Sequence, residues 1–274
     1  MKKKQKVRHR LSRISRMHYF KLVFRSCLFL AAAVVYCADL GQGAEDLFAA
    51  AKKVPVILPL VWLVFVVEMI LRFFPSSIES MGCQKQFARN YRPVDQNANG
   101  ESMDHQGMKV VVKLETWKST LAVAAAWFFL NGIIGVLYFG HIIDAGILFL
   151  ISLAYSVCDM ICILFFCPFQ TWFMKNKCCT SCRIYNWDYA MMFTPLVFVP
   201  SVYTWSMLLV AIVLLVRWEI AVHCYPERFS ESTNACLSCA GCQEKLCSHK
   251  KQLQRYLKEK RYQTIPVSVA QQQL

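Results

Sequence analysis

The sequence predicts an all-α fold: a polytopic helical membrane protein with four to five membrane segments and a cysteine-rich C-terminal tail. Three observations carry this. The chain has 274 residues, 56% of them hydrophobic. These gather into long runs at residues 54 to 74, 119 to 139, 142 to 166 and 190 to 216. Those runs hold almost no charge, and about 20 apolar helical residues suffice to cross a hydrocarbon core of roughly 30 Å. Helices are the default because each backbone N–H and C=O must find its partner within the segment.

Residues 1 to 18 read as a basic N-terminal tail. MKKKQKVRHRLSRISR holds eight Lys or Arg and no acid, in a chain of net charge +14. Placed just before an apolar stretch, it reads as a cytoplasmic flank drawn to anionic lipid rather than as a nucleic-acid arm or a cleavable signal peptide. The first pair of membrane segments occupies 19 to 74. Lys21 and Arg25 interrupt the first segment and are expected to snorkel to the headgroups. In the second, VPVILPLVWLVFVVEMILRFF, Glu68 and Arg72 stand four residues apart, where an intrahelical ion pair is expected. Residues 75 to 118 form a polar loop, with RPVDQNANGES marking a linker.

The membrane core is expected over 119 to 218. Only Gly140 and His141 separate the third and fourth segments, which makes them a hairpin. Pro195 and Pro200 interrupt the fifth, AMMFTPLVFVPSVYTWSMLLVAIVLLV, so one kinked span and a broken re-entrant pair both fit. Lys plus Arg total 25 against 2 across the two sides if the fifth is re-entrant, and 17 against 10 if it crosses. Trp172, Tyr185, Trp187, Tyr189 and Trp218 fall near segment ends and read as an interfacial aromatic belt. Asp188 reads as a helix N-cap. Asp159 lies inside the fourth segment, where a carboxylate calls for a buried partner or a function.

Eleven of the fourteen cysteines follow residue 157. One group straddles the end of the fourth segment and the cysteine-rich loop 167 to 189: Cys158 and Cys162 share a helix face, and Cys167, Cys178, Cys179 and Cys182 follow. CCTSC contains a Cys-x2-Cys step, which lets two thiolates reach one metal from a tight turn. The second group lies in the basic C-terminal tail, 219 to 274. Cys236, Cys239, Cys242 and Cys247 follow the pattern Cys-x2-Cys-x2-Cys-x4-Cys. Its first spacings match the bacterial ferredoxin run, although the last gap is one longer and Ser248 stands where that run has proline. Four thiolates so close satisfy a tetrahedral zinc equally well, so zinc and an iron–sulfur cluster both remain open as cofactors, beside disulfides or acylated thiols with no metal. The two groups cooperate only if they lie on one side of the membrane.

The stretch CPFQTWFMKNKCCTSCRIYNWDYAMMFTP, with YPERFSESTNACLSCAGCQEKLCSHK after it, resembles an uncharacterised group of bacterial cysteine-rich multi-pass membrane proteins over roughly residues 145 to 250. That resemblance implies a bacterial inner membrane and a core built on these motifs, and it implies no reaction.

A phosphate loop, His-Glu-x-x-His and Gly-x-Ser-x-Gly are all missing from the sequence, so the ATPase, zinc-protease and serine-hydrolase readings lack their minimum residues. The expected function is a multi-pass cell-membrane protein, N-terminus cytoplasmic, with thiolate metal sites at the cytoplasmic face, iron–sulfur electron transfer among the chemistries. A non-catalytic scaffold or transporter component with a zinc-stapled tail is the alternative, and solute or proton transport through Asp159 a third. Expected partners are the bilayer, anionic lipid at the N-terminal tail, and a redox or membrane protein. No nucleic-acid partner is expected.

Overall fold

The computed structural model describes residues 12–40, 57–94, 105–175, 178–239 and 242. Its five principal helices are α1 (Arg13–Leu40), α2 (Ile57–Leu71), α3 (His105–Phe139), α4 (Ala145–Leu164) and α5 (Val202–Cys224). Four contain stretches long and apolar enough to cross a membrane: Arg13–Ala38, Trp117–Phe139, Ala145–Leu164 and Val202–Cys224. The protein is thus an all-α, multi-pass membrane protein. Helix α2 has 15 residues, about 22 Å at 1.5 Å per residue, and is shorter than a full crossing. Phe128, Phe129 and Val136 on α3 and Val202 on α5 lie exposed, an outward apolar surface suited to lipid.

Contacts fix the direction of each helix. Near the middle of α1, Arg25 meets Glu68 late in α2 and Asp159 late in α4. Near its C-terminal end, Tyr36 donates to Asp144, which caps α4 by accepting from the Ile147 amide at 2.8 Å. Helix α1 is therefore antiparallel to α4. Helix α5 runs parallel to α2: the Trp62 indole donates to Ser206 early in α5, and Arg217 late in α5 donates to the Phe73 carbonyl.

The fifth apolar run is two pieces. Helix Asp188–Phe193 and the 3₁₀ turn Thr194–Phe198 descend from the end of the bundle carrying Arg72 to the end of α3, where Phe198 stacks on Tyr138. Pro200 and Ser201 then reverse the chain, and α5 returns to Cys224, beyond the boundary at 216 expected for the run. Proline, with no N–H and a fixed φ, is suited to end the first piece. Phe65 and Met69 of α2 pack with Tyr189, Met192 and Phe193 of the descending piece and Leu214 of α5, so the broken segment forms much of the core.

The consequence for the site is that one end of the bundle gathers the beginning of α1 and residues 75–94, 165–175, 178–187 and 225–239. Part of the expected linker is ordered: Gln84, Lys85 and Gln86 are buried, and the chain from 105 is already helix. A β-bridge joins Pro93 to Asn234, and the Arg228 guanidinium donates to the Gln86 carbonyl. The loop cysteines and the tail cysteines Cys236 and Cys239 thus lie at the same end.

Candidate functional site

The charges placed in the apolar runs form a buried network. Arg25 is 1% exposed and donates to Glu68 at 2.9 Å, to Asp159 at 3.1 Å and to the Ser156 carbonyl at 3.2 Å. The Tyr189 hydroxyl donates to Glu68 at 2.7 Å, and Lys21 approaches Glu68 and Glu79. Snorkelling is therefore not what Lys21 and Arg25 do: the acids of α2 and α4 hold them inside, because an unpaired carboxylate in the apolar interior is costlier than a paired one. The expected Glu68–Arg72 pair is likewise replaced. Helix α2 ends at Leu71, and Arg72 turns to Asp188 at 2.7 Å and to Asn186, with its guanidinium 4.4 Å from the Tyr189 ring centre. Asp188 is thus an ion-pair partner at the first residue of its helix rather than an N-cap. Tyr185, Tyr189 and Trp218 are buried and do not belong to an interfacial belt.

Lys85 organises the CCTSC turn. Fully buried, it donates to the Thr180 carbonyl at 2.9 Å and the Cys182 carbonyl at 2.6 Å, with the rings of Trp218 and Phe229 about it. Burial lowers its pKa to about 7, against the opposing pull of the Cys182 sulfur. Across this turn Arg183 forms an ion pair with Glu219, which also accepts from the Trp187 indole. The loop carbonyls therefore close around an ammonium supplied by the stretch expected to be a linker.

Beside this turn lies a cavity of about 140 Å³. Its wall includes Cys158 and Cys162 from α4, Cys167 just beyond it, and Cys179 and Cys182 from the turn, with Asp159 and Asp188 at its edge. The wall forms because α4 stops at Leu164, and a π-helical turn, Phe169–Met174, doubles the chain back over the helix end. The Cys162 thiol is in hydrogen-bond contact with Cys167. The Gln170 amide donates to the Cys167 sulfur at 3.4 Å, and the Cys179 thiol donates to the Gln170 side-chain oxygen at 2.8 Å and reaches the Cys162 carbonyl at 3.6 Å. Cys178 does not line the cavity; its sulfur accepts from the Thr180 hydroxyl.

The tail group is placed differently. Asn234 is fully buried, accepts from the amides of Arg92 and Cys236 and donates to the Arg228 carbonyl, so it pins the tail to the 75–94 segment. Cys236 is half-buried and Cys239 exposed. Cys247, the fourth member of the motif, lies outside the described residues, as do the basic residues 1–11. Among the described residues, no three His, Cys, Asp or Glu side chains converge as ligands for one metal ion.

Of the residues singled out in the sequence, the structure brings Cys167, Cys179 and Cys182 onto one cavity with Asp159, and leaves Cys178 and the described tail cysteines, Cys236, Cys239 and Cys242, off it. Arg25 was misread as snorkelling, and Lys85 was passed over within the polar loop. Each is a lone cation in a segment where lipid or solvent was the simpler destination, and only a partner distant in sequence reveals its role. No protein-family model matches this chain, and no curated protein or solved structure matches it.

Proposed function

We propose that this multi-pass membrane protein binds a thiophilic metal through thiolates at one membrane face, with the cavity cysteines as the principal ligands. The observation that supports the reading is that five cysteines and two carboxylates line one cavity at the end of α4. Zinc fits such a mixed sulfur and oxygen set, and its binding would draw Cys162, Cys167 and Cys179 together from their present rotamers, since metal binding and local ordering are coupled. The iron–sulfur reading rests on the tail spacing Cys236, Cys239, Cys242 and Cys247, and an electron-transfer role follows only with it. On the positive-inside rule this face is cytoplasmic.

The test is metal analysis of anaerobically purified full-length protein beside two double variants. Stoichiometric zinc lost in Cys162→Ser with Cys167→Ser, and kept in Cys239→Ser with Cys242→Ser, supports the cavity. The reverse pattern moves the site to the tail, with visible absorption marking a cluster. Metal content unchanged in both refutes the assignment. A second reading, a non-catalytic scaffold, has its own support: Asn234 fastens the tail with hydrogen bonds to Arg92, Cys236 and Arg228 that need no metal.

A further inference from the structure

The cavity beside α4 has an apolar end that the metal reading leaves unused. We propose that this end binds the ring of a lipid-soluble quinone, an uncharged ligand that bears carbonyl oxygens and enters from the bilayer. The inference goes beyond metal binding and does not rest on it.

Size, lining, charge and access carry it. Helix α4 lays Tyr155, Cys158, Asp159 and Cys162 along the cavity at successive turns, about 10 Å from Tyr155 to Cys162. Cys167 and Cys179 gather with Cys162 at the loop end. At the other end Trp127 of α3 stands against Tyr155, with ring centres 5.0 Å apart and planes inclined by 57°. Met192 of the descending piece, also on the wall, belongs to the core cluster against which Tyr155 packs. Aromatic rings and a thioether suit a flat ring, which gains dispersion and sulfur–aromatic contact there. The volume of about 140 Å³ sets the size. An engineered apolar cavity of about 150 Å³ takes up benzene, so one ring fits here and a two-chain phospholipid does not.

Charge and hydrogen bonding narrow the class. Asp159 meets Arg25 at 3.1 Å and Asp188 meets Arg72 at 2.7 Å, so the carboxylates at the cavity edge are already matched and the apolar end calls for no charged ligand. The Tyr155 hydroxyl has no hydrogen-bond partner among the described residues. In apolar surroundings such a donor calls for an acceptor, and a quinone carbonyl supplies one on an uncharged ring. Access is sideways. Cys158, on the cavity wall, is exposed within the crossing Ala145–Leu164, and Phe128 and Phe129, next to Trp127 in sequence, are exposed as well. The isoprenoid tail of the ligand then stays in lipid.

The probe is duroquinone, whose fully substituted ring leaves no position for a thiol to add to. Durene, the same shape without carbonyls, is the comparison. Tryptophan emission of the full chain in detergent is followed as duroquinone is titrated, and durene is measured by its competition. Saturable quenching by one duroquinone per chain is expected, most of it lost in Trp127→Phe. Tyr155→Phe keeps the ring and removes only the donor, so it should weaken duroquinone about three- to tenfold, the worth of one hydrogen bond, and leave durene unchanged. Quenching that rises without saturation, or that Trp127→Phe leaves intact, is partition into the micelle and overturns the site. Equal duroquinone affinity in wild type and Tyr155→Phe overturns the quinone assignment. Zinc is measured on the same samples: its absence with duroquinone bound ends the metal reading alone, and its presence without duroquinone binding ends this one alone.

Discussion

Replacing Arg25 with methionine removes the cation from the centre of the buried network while keeping most of its apolar stem. In the wild-type protein Arg25 satisfies Glu68, Asp159 and the Ser156 carbonyl at 2.9 to 3.2 Å from a position 1% exposed. Its loss leaves Asp159 without the ion-pair partner described above and leaves Glu68 with Lys21 at 3.6 Å. Breaking a buried ion pair by removing one partner destabilises by about 3–5 kcal/mol, whereas an exposed pair is worth about 0–1 kcal/mol. Arg25→Met should therefore lower stability by about 3–5 kcal/mol in equilibrium unfolding in mixed micelles. Adding Asp159→Asn should recover part of the loss, since the uncompensated charge is then gone. A loss below about 1 kcal/mol, or a further loss on adding Asp159→Asn, would refute the buried network and restore the snorkelling reading of Arg25.

Lys85 should leave a pH signature. Its pKa in the folded protein is lowered to about 7 by burial among Cys182, Arg183, Cys178 and Cys83, against an ordinary value of 10.5. Between those values the unfolded chain binds the extra proton, so the Lys85 contribution makes stability rise with pH from about 7 towards 10. The difference in melting temperature between wild type and Lys85→Met, followed over that window, should show this rise, and a flat difference counts against it. Glycines on the helices separate packing from propensity. A Cβ on Gly135 would stand 2.7 Å from the Phe198 ring and one on Gly82 2.5 Å from the Tyr185 ring, so either alanine should destabilise by about 1–3 kcal/mol in thermal-shift assays. Gly132→Ala, with nothing within 4 Å, should be neutral or stabilise by up to about 1 kcal/mol. Asn234→Ala removes three hydrogen bonds that hold the tail, so Cys236 should alkylate several-fold faster while Cys182 does not change.

The sequence by itself determined the class of fold and its principal helices. Apolar runs of 20 or more residues have only one solution in lipid, and that physics is local to each run. It also marked the proline-broken segment before α5 as unusual and Asp159 as needing a partner. Only the tertiary structure decided whether the broken segment crosses or returns, since that depends on Phe198 meeting Tyr138 and on Arg217 meeting Phe73, contacts 60 and 144 residues apart along the chain. It also decided the fate of the lone cations. Arg25 is paired 43 and 134 residues away, and Lys85 is coordinated by carbonyls 95 and 97 residues away. The cysteines show the same division. Spacing drew attention to the tail motif, because motif recognition sees neighbours in sequence. The cavity instead unites Cys162, Cys167, Cys179 and Cys182 by folding a loop back over a helix end, and nothing in the spacing of those residues encodes that return.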